Sequence, residues 1–403
     1  MWIKRRKCLG SKRQSNDRRS NPKRGRFLLL LFLGLLGSLY YLVASSLLTQ
    51  AREKHQFNAQ QTSAQKSAPL LSSPIAHQSA VQVLHEPLPA TAVVTSLYKQ
   101  DKNGNQILEH CDRVMVTGYF QVRSKHAAGV YLEWIPNLLS VQDCMVIFST
   151  PSMTADLTAW RQPHGVGRTV IVTFPTVADL PIARLQGLTN PSTASSSNAF
   201  WQHQLDLDYE RRHHKSYEVF WIWLSKSWCV RIAIAHNFFQ TDLESAHNVF
   251  MWQDIGSFRR KAWYYGKTII QHPDLIPAGT ILWMAHHPPN PPPTALWNDK
   301  KNNFQHYFHS GSQGAGSAVA WRTFHQRFAE TVDLFVQRDM FIGEDQCVLQ
   351  STCQRFPDLC AYVRSEDIAD NNYFGLRYAL YRGRNNAGEA FHLWRMPGAT
   401  VDS

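Results

Sequence analysis

The sequence predicts an α/β fold, a mostly parallel sheet flanked by helices, preceded by a single N-terminal transmembrane helix and a disordered stem. Three observations support this prediction. Strand and helix patterns alternate after Cys111, an uncharged Leu-rich stretch covers residues 27–48, and a polar segment separates the two. Strands that alternate with helices are typical of βαβ units, whose strands run parallel. At 403 residues the chain has room for one large α/β domain with appendages.

The N-terminal residues predict a cytoplasmic tail and a membrane anchor. Residues 1–26 hold eleven Lys and Arg against one Asp, so they carry +10 of the formal net charge of +12. This basicity belongs to a terminal tail and not to a nucleic-acid-binding face. As a helix, Phe27–Leu48 would span about 30 Å, the thickness of a bilayer core. The positive-inside rule then gives a single-pass type II protein of the Golgi or ER membrane with a luminal C-terminal part. A cleaved signal peptide is the alternative, but its apolar region would be shorter.

Residues 49–110 are predicted to form a flexible stem, because Gln, Ser, Ala, Pro and His dominate them as far as residue 93. Compact sequence begins near Cys111, so the luminal domain is placed at residues 111–403. Six cysteines follow the anchor, an even number that suits disulfides in an oxidising lumen. Several buried free thiols are the alternative, and the sequence does not choose among the possible pairings. These cysteines are Cys111, Cys144, Cys229, Cys347, Cys353 and Cys360.

The strand and helix patterns follow in an order that favours a parallel sheet. Short apolar runs predict strands, and apolar residues at helical spacing predict the helices. The predicted strands are Val114–Phe120, Cys144–Ser149, Arg168–Phe174, Val249–Trp252 and Thr280–Ala285. The predicted helices are Val130–Ser140, Tyr217–Ala235 and one from Glu344 through Cys353. A strand near Val230 is the alternative for the end of the second. A further helix is predicted with Phe324, Phe328, Val332 and Phe335 on its apolar face.

The strand at 249–252 carries the main functional prediction, because Asp254 and Gly256 follow it directly. Ligands of open α/β sheets bind beyond the carboxyl ends of the strands, so Asp254 would lie where a ligand binds. Gly256 would let a phosphate or sugar approach the backbone, and Arg259 adds a charge suited to a diphosphate. The alternative is an ordinary Asp-x-Gly turn after a buried strand.

Further residues are predicted to bind a nucleotide-sugar donor. The cations Arg123, Lys125, Lys226 and Arg259 would hold its phosphates or acidic sugar groups. Tyr119, at the end of the first predicted strand, would stack on the base.

A glycine-rich stretch, His306–Gly316, is predicted to be a loop. Gly311 and Gly314 would bring backbone amides close to the ligand, although no Gly-Lys-Ser/Thr follows as in a Walker loop. A flexible turn before the next helix is the alternative.

Glu344 and Asp345 are the predicted catalytic groups. When a nucleotide sugar reacts, its diphosphate leaving group gains charge, which a divalent cation on carboxylate oxygens offsets. A second carboxylate accepts the proton of the incoming hydroxyl, a role that we assign to Asp345 with Glu344 beside it. Acids at a helix start that only complement the helix dipole are the alternative.

Three sequence blocks resemble those of the HtrL/YibB-type proteins. They are Val-Thr-Gly-Tyr-Phe-x4-Lys-His at 116–126, Trp-Gln-Asp-Ile-Gly-Ser-Phe-Arg at 252–259 and Phe-Ile-Gly-Glu-Asp-Gln at 341–346. Tyr217, Lys226 and Asn237 also follow that family's order, so the resemblance covers residues 111–363. The family in turn resembles the nucleotide-diphospho-sugar transferases of the GT-A fold, which implies a GT-A-like luminal domain.

The resemblance also implies Mn²⁺ or Mg²⁺ as a cofactor. GT-A enzymes usually hold the cation with Asp-x-Asp, whereas here Gly256 takes the second position and leaves Asp254 alone. His392 matches the place of a C-terminal metal histidine, with a core residue as the alternative. A literal Asp-x-Asp at Asp206 and Asp208 lacks a preceding apolar strand and ranks below Asp254.

Together these observations predict a type II membrane glycosyltransferase that moves a sugar from a nucleotide sugar to a glycan or protein acceptor. A non-catalytic luminal glycan-binding or scaffolding protein on a transferase-like fold is the alternative. A membrane-anchored hydrolase is disfavoured, because neither Gly-x-Ser-x-Gly nor His-Glu-x-x-His occurs.

Overall fold

A nine-stranded mixed sheet runs through the part of the chain that the structure describes. In chain order its strands are β1 (Val93–Leu97), β4 (Arg113–Gly118), β5 (Cys144–Ser149), β6 (Thr169–Thr173), β7 (Val249–Gln253), β8 (Ile281–Ala285), β9 (His309–Gly316), β10 (Cys360–Arg364) and β11 (Trp394–Arg395). A separate two-stranded sheet joins β2 (Lys99–Gln100) to β3 (Gln106–Ile107). In space the large sheet has the order β1-β6-β5-β4-β7-β9-β8-β10-β11.

This computed structural model describes residues 78–124, 126–187, 197–208, 210, 214–260, 264–289, 308–371 and 373–400. They belong to one compact unit, Ile75–Ser403. The predicted cytoplasmic tail and the anchor at Phe27–Leu48 lie outside the described residues. Within those residues, every helix is too short or too polar to cross a bilayer.

Most strands of the large sheet run in one direction. The neighbours β6, β5, β4 and β7 are parallel to one another, as are β8 and β10. Strand β9 is antiparallel to both β7 and β8, and the edge strands β1 and β11 are antiparallel to their neighbours. The predicted α/β class is therefore confirmed, with a mixed sheet in which parallel strands are interrupted by β9.

Helices cover both faces of the sheet. They are α1 (Ala80–Leu84), α2 (Ala128–Leu139), α3 (Thr154–Gly165), α4 (Ser197–Leu207), α5 (Glu218–Leu224), α6 (Lys226–His236), α7 (Ala318–Gln337), α8 (Asp345–Arg355) and α9 (Leu376–Arg382). Side chains of β5 alternate between two apolar cores, since Val146 and Phe148 pack with α6 and α7 while Met145 and Ile147 pack with α2 and α9. A strand that is buried on both faces reads as an unbroken apolar run, which is why the sequence predicted β5 correctly.

The folded unit begins earlier in the chain than the predicted stem boundary at residue 110. Helix α1 starts at Ala80 after Ser79, whose hydroxyl caps it. Strand β1 then pairs with β6, from Val93 opposite Thr173 to Leu97 opposite Thr169. The prediction of a flexible stem is thus wrong for this segment, because an edge strand needs only one apolar face and leaves a weak sequence pattern.

Strand β9 replaces the predicted glycine-rich loop. The segment pairs with β7 and β8, and its glycines leave space for neighbouring side chains. A Cβ on Gly314 would lie 2.4 Å from the ring of Trp283, and one on Gly316 would lie 2.5 Å from Ile281. Glycine in a strand is typical of such close approaches.

The long apolar stretch from Tyr217 to Ala235 forms two consecutive helices, α5 and α6, that meet at Ser225. Helix α6 continues past Val230 and ends at His236, and the next residue, Asn237, adopts a left-handed conformation with φ 42°. The alternative of a strand near Val230 is therefore wrong.

Two disulfides cross-link the folded unit. Cys111, just before β4, bonds to Cys144 at the start of β5, and Cys353 in α8 bonds to Cys360 at the start of β10. Cys229 and Cys347 are buried among apolar side chains. The domain thus contains both predicted kinds of cysteine: two disulfides, and two further buried cysteines that take no part in them.

Candidate active site

An open cavity lies at the carboxyl ends of β4 and β7, which are adjacent in the sheet. The chain runs outward from β4 through β5 to β6 and then returns to β7 on the other side of β4. This is a topological switch point, the place where open α/β sheets bind ligands. The lining residues are Gly118, Tyr119, Phe120, Val122, Ser124, Ala128, Tyr131, Trp134, Val219, Ile222, Trp223, Lys226, Trp252, Asp254, Ile255, Gly256, Arg259 and Phe374.

The ammonium group of Lys226, which lines this cavity, forms ion pairs with two carboxylates. The Nζ atom of Lys226 lies 2.9 Å from Oδ1 of Asp254 and 2.6 Å from Oδ2 of Asp345. Asp254 follows β7, Asp345 begins α8 and Lys226 begins α6, so three separate elements converge there. The predicted meeting of Asp254 and Asp345 in one place is therefore observed, with Lys226 between them.

Three oxygen atoms surround the ammonium group of Lys226. It forms ion pairs with the two carboxylates and donates a hydrogen bond to the backbone carbonyl of Gly311 at 2.9 Å. Burial disfavours the charged form, but the charges of Asp254 and Asp345 outweigh it and hold the pKa of Lys226 above its ordinary value.

The two carboxylates differ in their access to solvent. The side chain of Asp254 is 30% exposed and lines the cavity, whereas that of Asp345 is 7% exposed and lies behind Lys226. Burial raises the pKa of Asp345 above its ordinary range, although the Lys226 ammonium opposes this. Of these two acids, Asp254 is therefore the one that presents a carboxylate directly to a ligand in the cavity.

Asp254 is held in place by contacts on both its backbone and its side chain. Its Oδ1 atom accepts a hydrogen bond from the indole N–H of Trp252 at 2.8 Å. Its backbone N–H donates to the carbonyl of Ser312 on β9 at 2.9 Å. Behind it, Gln313 donates to Gln253 at 2.6 Å, and Gln253 donates to the hydroxyl of Ser257. This buried network fixes the turn that presents the carboxylate.

Aromatic rings form the walls of the cavity. The guanidinium of exposed Arg259 lies 4.5 Å from the ring centroid of Trp134 and 5.0 Å from that of Phe374. Such cation–π contacts hold the charge at the mouth of the cavity. Tyr131 and Trp134, on α2, face Gly256, where a Cβ would lie 2.9 Å from the ring of Tyr131. Gly256 thus makes room for protein rings, whereas the sequence predicted an approach by a ligand.

The structure brings several other predicted residues to the cavity. Tyr119 lines it at the end of β4, with its ring centroid 5.7 Å from that of Tyr131. Arg123 is exposed on the segment that contributes Val122 and Ser124 to the lining. Lys125 lies outside the described residues.

The remaining predicted residues do not line the cavity. Gly311 leaves space for Asp345, because a Cβ there would lie 2.9 Å from its Oδ2, and Gly314 lies under Trp283. The predicted loop is wrong, since both glycines belong to buried β9. Glu344 is buried at the N-cap of α8. His392 is exposed just before β11, so the alternative of a core histidine is also wrong.

Sequence reasoning missed the aromatic walls and one half-buried tyrosine, Tyr373. Tyr131, Trp134 and Phe374 carry no motif, and only their aromatic character would have suggested a binding surface. The hydroxyl of Tyr373 donates to Gln346 at 2.8 Å. Burial, and then the nearby carboxylates of Asp345 and Asp254, raise the pKa of Tyr373 well above its ordinary value.

The residues at the site do not match the donor set of the implied Mn²⁺ or Mg²⁺. Such a cation needs several oxygen atoms with free lone pairs. Oδ1 of Asp254 already accepts a hydrogen bond from Trp252 and forms an ion pair with Lys226. Among the described residues, no cluster of three or more His, Cys, Asp or Glu side chains is arranged to hold a metal.

No family model matches the chain, and no curated protein or solved structure matches it either. The resemblance to HtrL/YibB-type proteins therefore rests on the three sequence blocks and stays a prediction.

Proposed function

We propose that this protein transfers a sugar from a nucleotide-sugar donor to a hydroxyl group of a glycan or protein acceptor. The observation that carries the proposal is the position of Asp254. Its partly exposed carboxylate projects from the end of β7 into a cavity at the switch point of the sheet.

The strand order supports nucleotide binding and a GT-A-like fold. The sequence β6-β5-β4-β7 has the order of the first four strands of a doubly wound nucleotide-binding sheet. The sheet departs from that order where antiparallel β9 is inserted beside β7. The insertion places Ser312 beside Asp254 and so contributes to the site.

The lining of the cavity supports a ligand that combines flat rings with negative charge. Tyr119, Tyr131 and Trp134 offer aromatic faces on which a base or a sugar ring stacks. Arg259 at the mouth provides a guanidinium suited to phosphate oxygens. Exposed Arg123 lies on an adjacent segment and adds to that charge.

Asp254 is the proposed general base. As the acceptor oxygen forms its bond to the anomeric carbon, its proton passes to the carboxylate of Asp254. The bond between the anomeric carbon and the donor phosphate breaks, and the nucleoside diphosphate leaves with the electron pair. This assignment differs from the prediction that Asp345 is the base, because Asp345 lies behind Lys226 and does not line the cavity.

The luminal location is part of the same proposal. The two disulfides, Cys111–Cys144 and Cys353–Cys360, are compatible with an oxidising compartment. The uncharged stretch Phe27–Leu48 after a basic tail supports a type II anchor.

The test uses the full-length protein in detergent and a panel of nucleotide sugars, with calorimetry for donor binding and an assay for nucleoside diphosphate release. We expect one donor to bind and to release diphosphate in the presence of a glycan acceptor. The Asp254→Asn variant should bind that donor but release little diphosphate. Asp206→Asn is the matched control, because it makes the same change at an exposed Asp on α4 and should behave as wild type.

A glycan-binding protein without transfer activity is the second candidate, and the aromatic cavity walls favour it. The same protein would then bind no nucleotide sugar but would bind immobilised glycans. That result would overturn the transferase proposal.

A further inference from the structure

We infer that the ammonium group of Lys226 occupies the place of a divalent cation, so that the site works without a bound metal. The inference deepens the proposed function, because it concerns how the same site balances its charge. It rests on the contacts around Lys226 and on the chemistry of the groups that surround Asp254.

The first argument is the charge balance between the two carboxylates. Asp254 and Asp345 bring two negative charges to within 3 Å of one nitrogen atom, and Lys226 offsets one of them. A buried carboxylate and a partly exposed one this close together would repel each other without a cation between them. The ammonium therefore performs the charge-balancing task that a metal ion performs between paired acids.

The second argument is that several contacts hold the Lys226 side chain in one position between Asp254 and Asp345. Its side chain is 7% exposed, and its Nζ atom lies within 2.9 Å of three oxygen atoms, those of the two carboxylates and of the Gly311 carbonyl. Its backbone is the first residue of α6, at the positive end of a helix dipole. An ammonium at that end is unfavourable by itself, so the two carboxylates and the Gly311 carbonyl are what hold it.

The third argument concerns the space in which a metal would sit. The Oδ1 atom of Asp254 faces two N–H donors, from Lys226 and from the indole of Trp252 at 2.8 Å. These donors present hydrogens where a metal needs lone pairs. A divalent cation on that oxygen would also lie beside the positive charge of Lys226, which disfavours its binding.

The experiment measures Mn²⁺ binding to the full-length protein in detergent by the electron paramagnetic resonance signal of free Mn²⁺. Wild type should bind no stoichiometric Mn²⁺. Lys226→Met removes the ammonium, keeps the length of the side chain and leaves the carboxylates facing each other. This variant should gain one Mn²⁺ per chain, and the Lys226→Met/Asp254→Asn double variant should lose that gain.

Lys226→Arg is the matched control, because it keeps a cation between the acids and should bind no Mn²⁺. Near-ultraviolet circular dichroism reports whether each variant is folded. The inference is overturned if wild type binds one Mn²⁺ that Asp254→Asn abolishes, a result that needs no Lys226 variant to fold. A folded Lys226→Met variant without Mn²⁺ binding also overturns it.

The outcome is separate from that of the proposed function. Mn²⁺ binding is measured without any nucleotide sugar, so it stands whether or not a donor is found. Where a donor is found, diphosphate release should continue unchanged in excess EDTA. A wild-type protein that turns over only with added Mn²⁺ would contradict the inference and leave the transferase proposal intact.

Discussion

Two buried cations lie at opposite ends of the same parallel strands. Lys226 lies at the carboxyl end, between Asp254 and Asp345. Arg161, on α3, lies at the amino end, where it donates to Thr169 at the start of β6 and to the carbonyl of Asp143 before β5. Both side chains are withdrawn from solvent, but only Lys226 borders a cavity.

The partners of the two cations explain the difference. Arg161 donates mainly to backbone carbonyls, including those of Leu139 and Val141, and burial lowers its pKa to about 10. Such a cluster locks the loops that enter β5 and β6. Lys226 instead holds carboxylates, one of which faces open space. A buried charge by itself therefore does not mark a site, whereas a buried charge beside a partly exposed acid in a cavity does.

The largest effect should come from Asp254→Asn at the carboxyl end. Loss of a general base should lower the rate of diphosphate release by about 10²–10⁴-fold. The unfolding free energy should change by less than about 1 kcal/mol, because an amide oxygen still accepts the hydrogen bond of Trp252 and Lys226 keeps its ion pair with Asp345. Turnover at saturating donor and urea unfolding measure the two quantities. A large loss of stability with unchanged turnover would show that Asp254 stabilises the fold and takes no part in catalysis.

Arg161→Met should show the reverse behaviour at the amino end. It leaves three buried carbonyls without their donor and should lower the unfolding free energy by about 3–5 kcal/mol. Diphosphate release per folded molecule should stay at the wild-type rate, because the cluster lies at the amino ends of the strands, opposite the cavity. Urea unfolding and turnover normalised to folded protein check this. A fall in normalised turnover would remove the contrast between the two ends.

A smaller effect should appear as the pH falls, because His309 and His325 are buried bases. Burial lowers the pKa of each to about 3, well below the value of about 6.5 in an unfolded chain. Between pH 6.5 and pH 3 the unfolded chain binds protons at these histidines and the folded chain does not. The free energy of unfolding is therefore highest above pH 6.5 and falls as the pH is lowered. Each histidine should cost about 2 kcal/mol at pH 5 relative to neutral pH.

Urea unfolding at a series of pH values measures this loss. His325→Gln should reduce the dependence of unfolding free energy on pH by one proton, because glutamine does not titrate. His325 lies between Ser227 and the carbonyl of Leu84, away from the cavity lining, so the change leaves the site intact. An unchanged slope in that variant would show that His325 does not titrate on unfolding.

The smallest effects should separate two glycines of β9. Gly314→Ala would press a methyl group against Trp283 and should lower the unfolding free energy by about 1–3 kcal/mol without a specific effect on turnover. Gly311→Ala would meet the carboxylate of Asp345 and should cost less stability but reduce turnover, because it shifts Asp345 from Lys226. Parallel measurements of stability and turnover decide the matter. Equal effects on turnover would remove the distinction between a core glycine and a site glycine.

Much of the fold followed from local patterns. The sequence correctly predicted β5, β7 and the apolar face of α7, since apolar runs and helical spacing record burial directly. It failed at β9, whose Ser and Gly residues have little strand propensity. That strand exists because β7 and β8 pair with it on either side.

The sequence by itself determined that an acid follows a buried strand at Asp254 and that another begins a helix at Asp345. Only the tertiary structure decided that Lys226 lies between them, that Asp254 alone faces the cavity, and that α2 supplies aromatic walls. The physical reason is that periodicity reports whether a residue is buried, whereas the partner it meets depends on how distant elements pack.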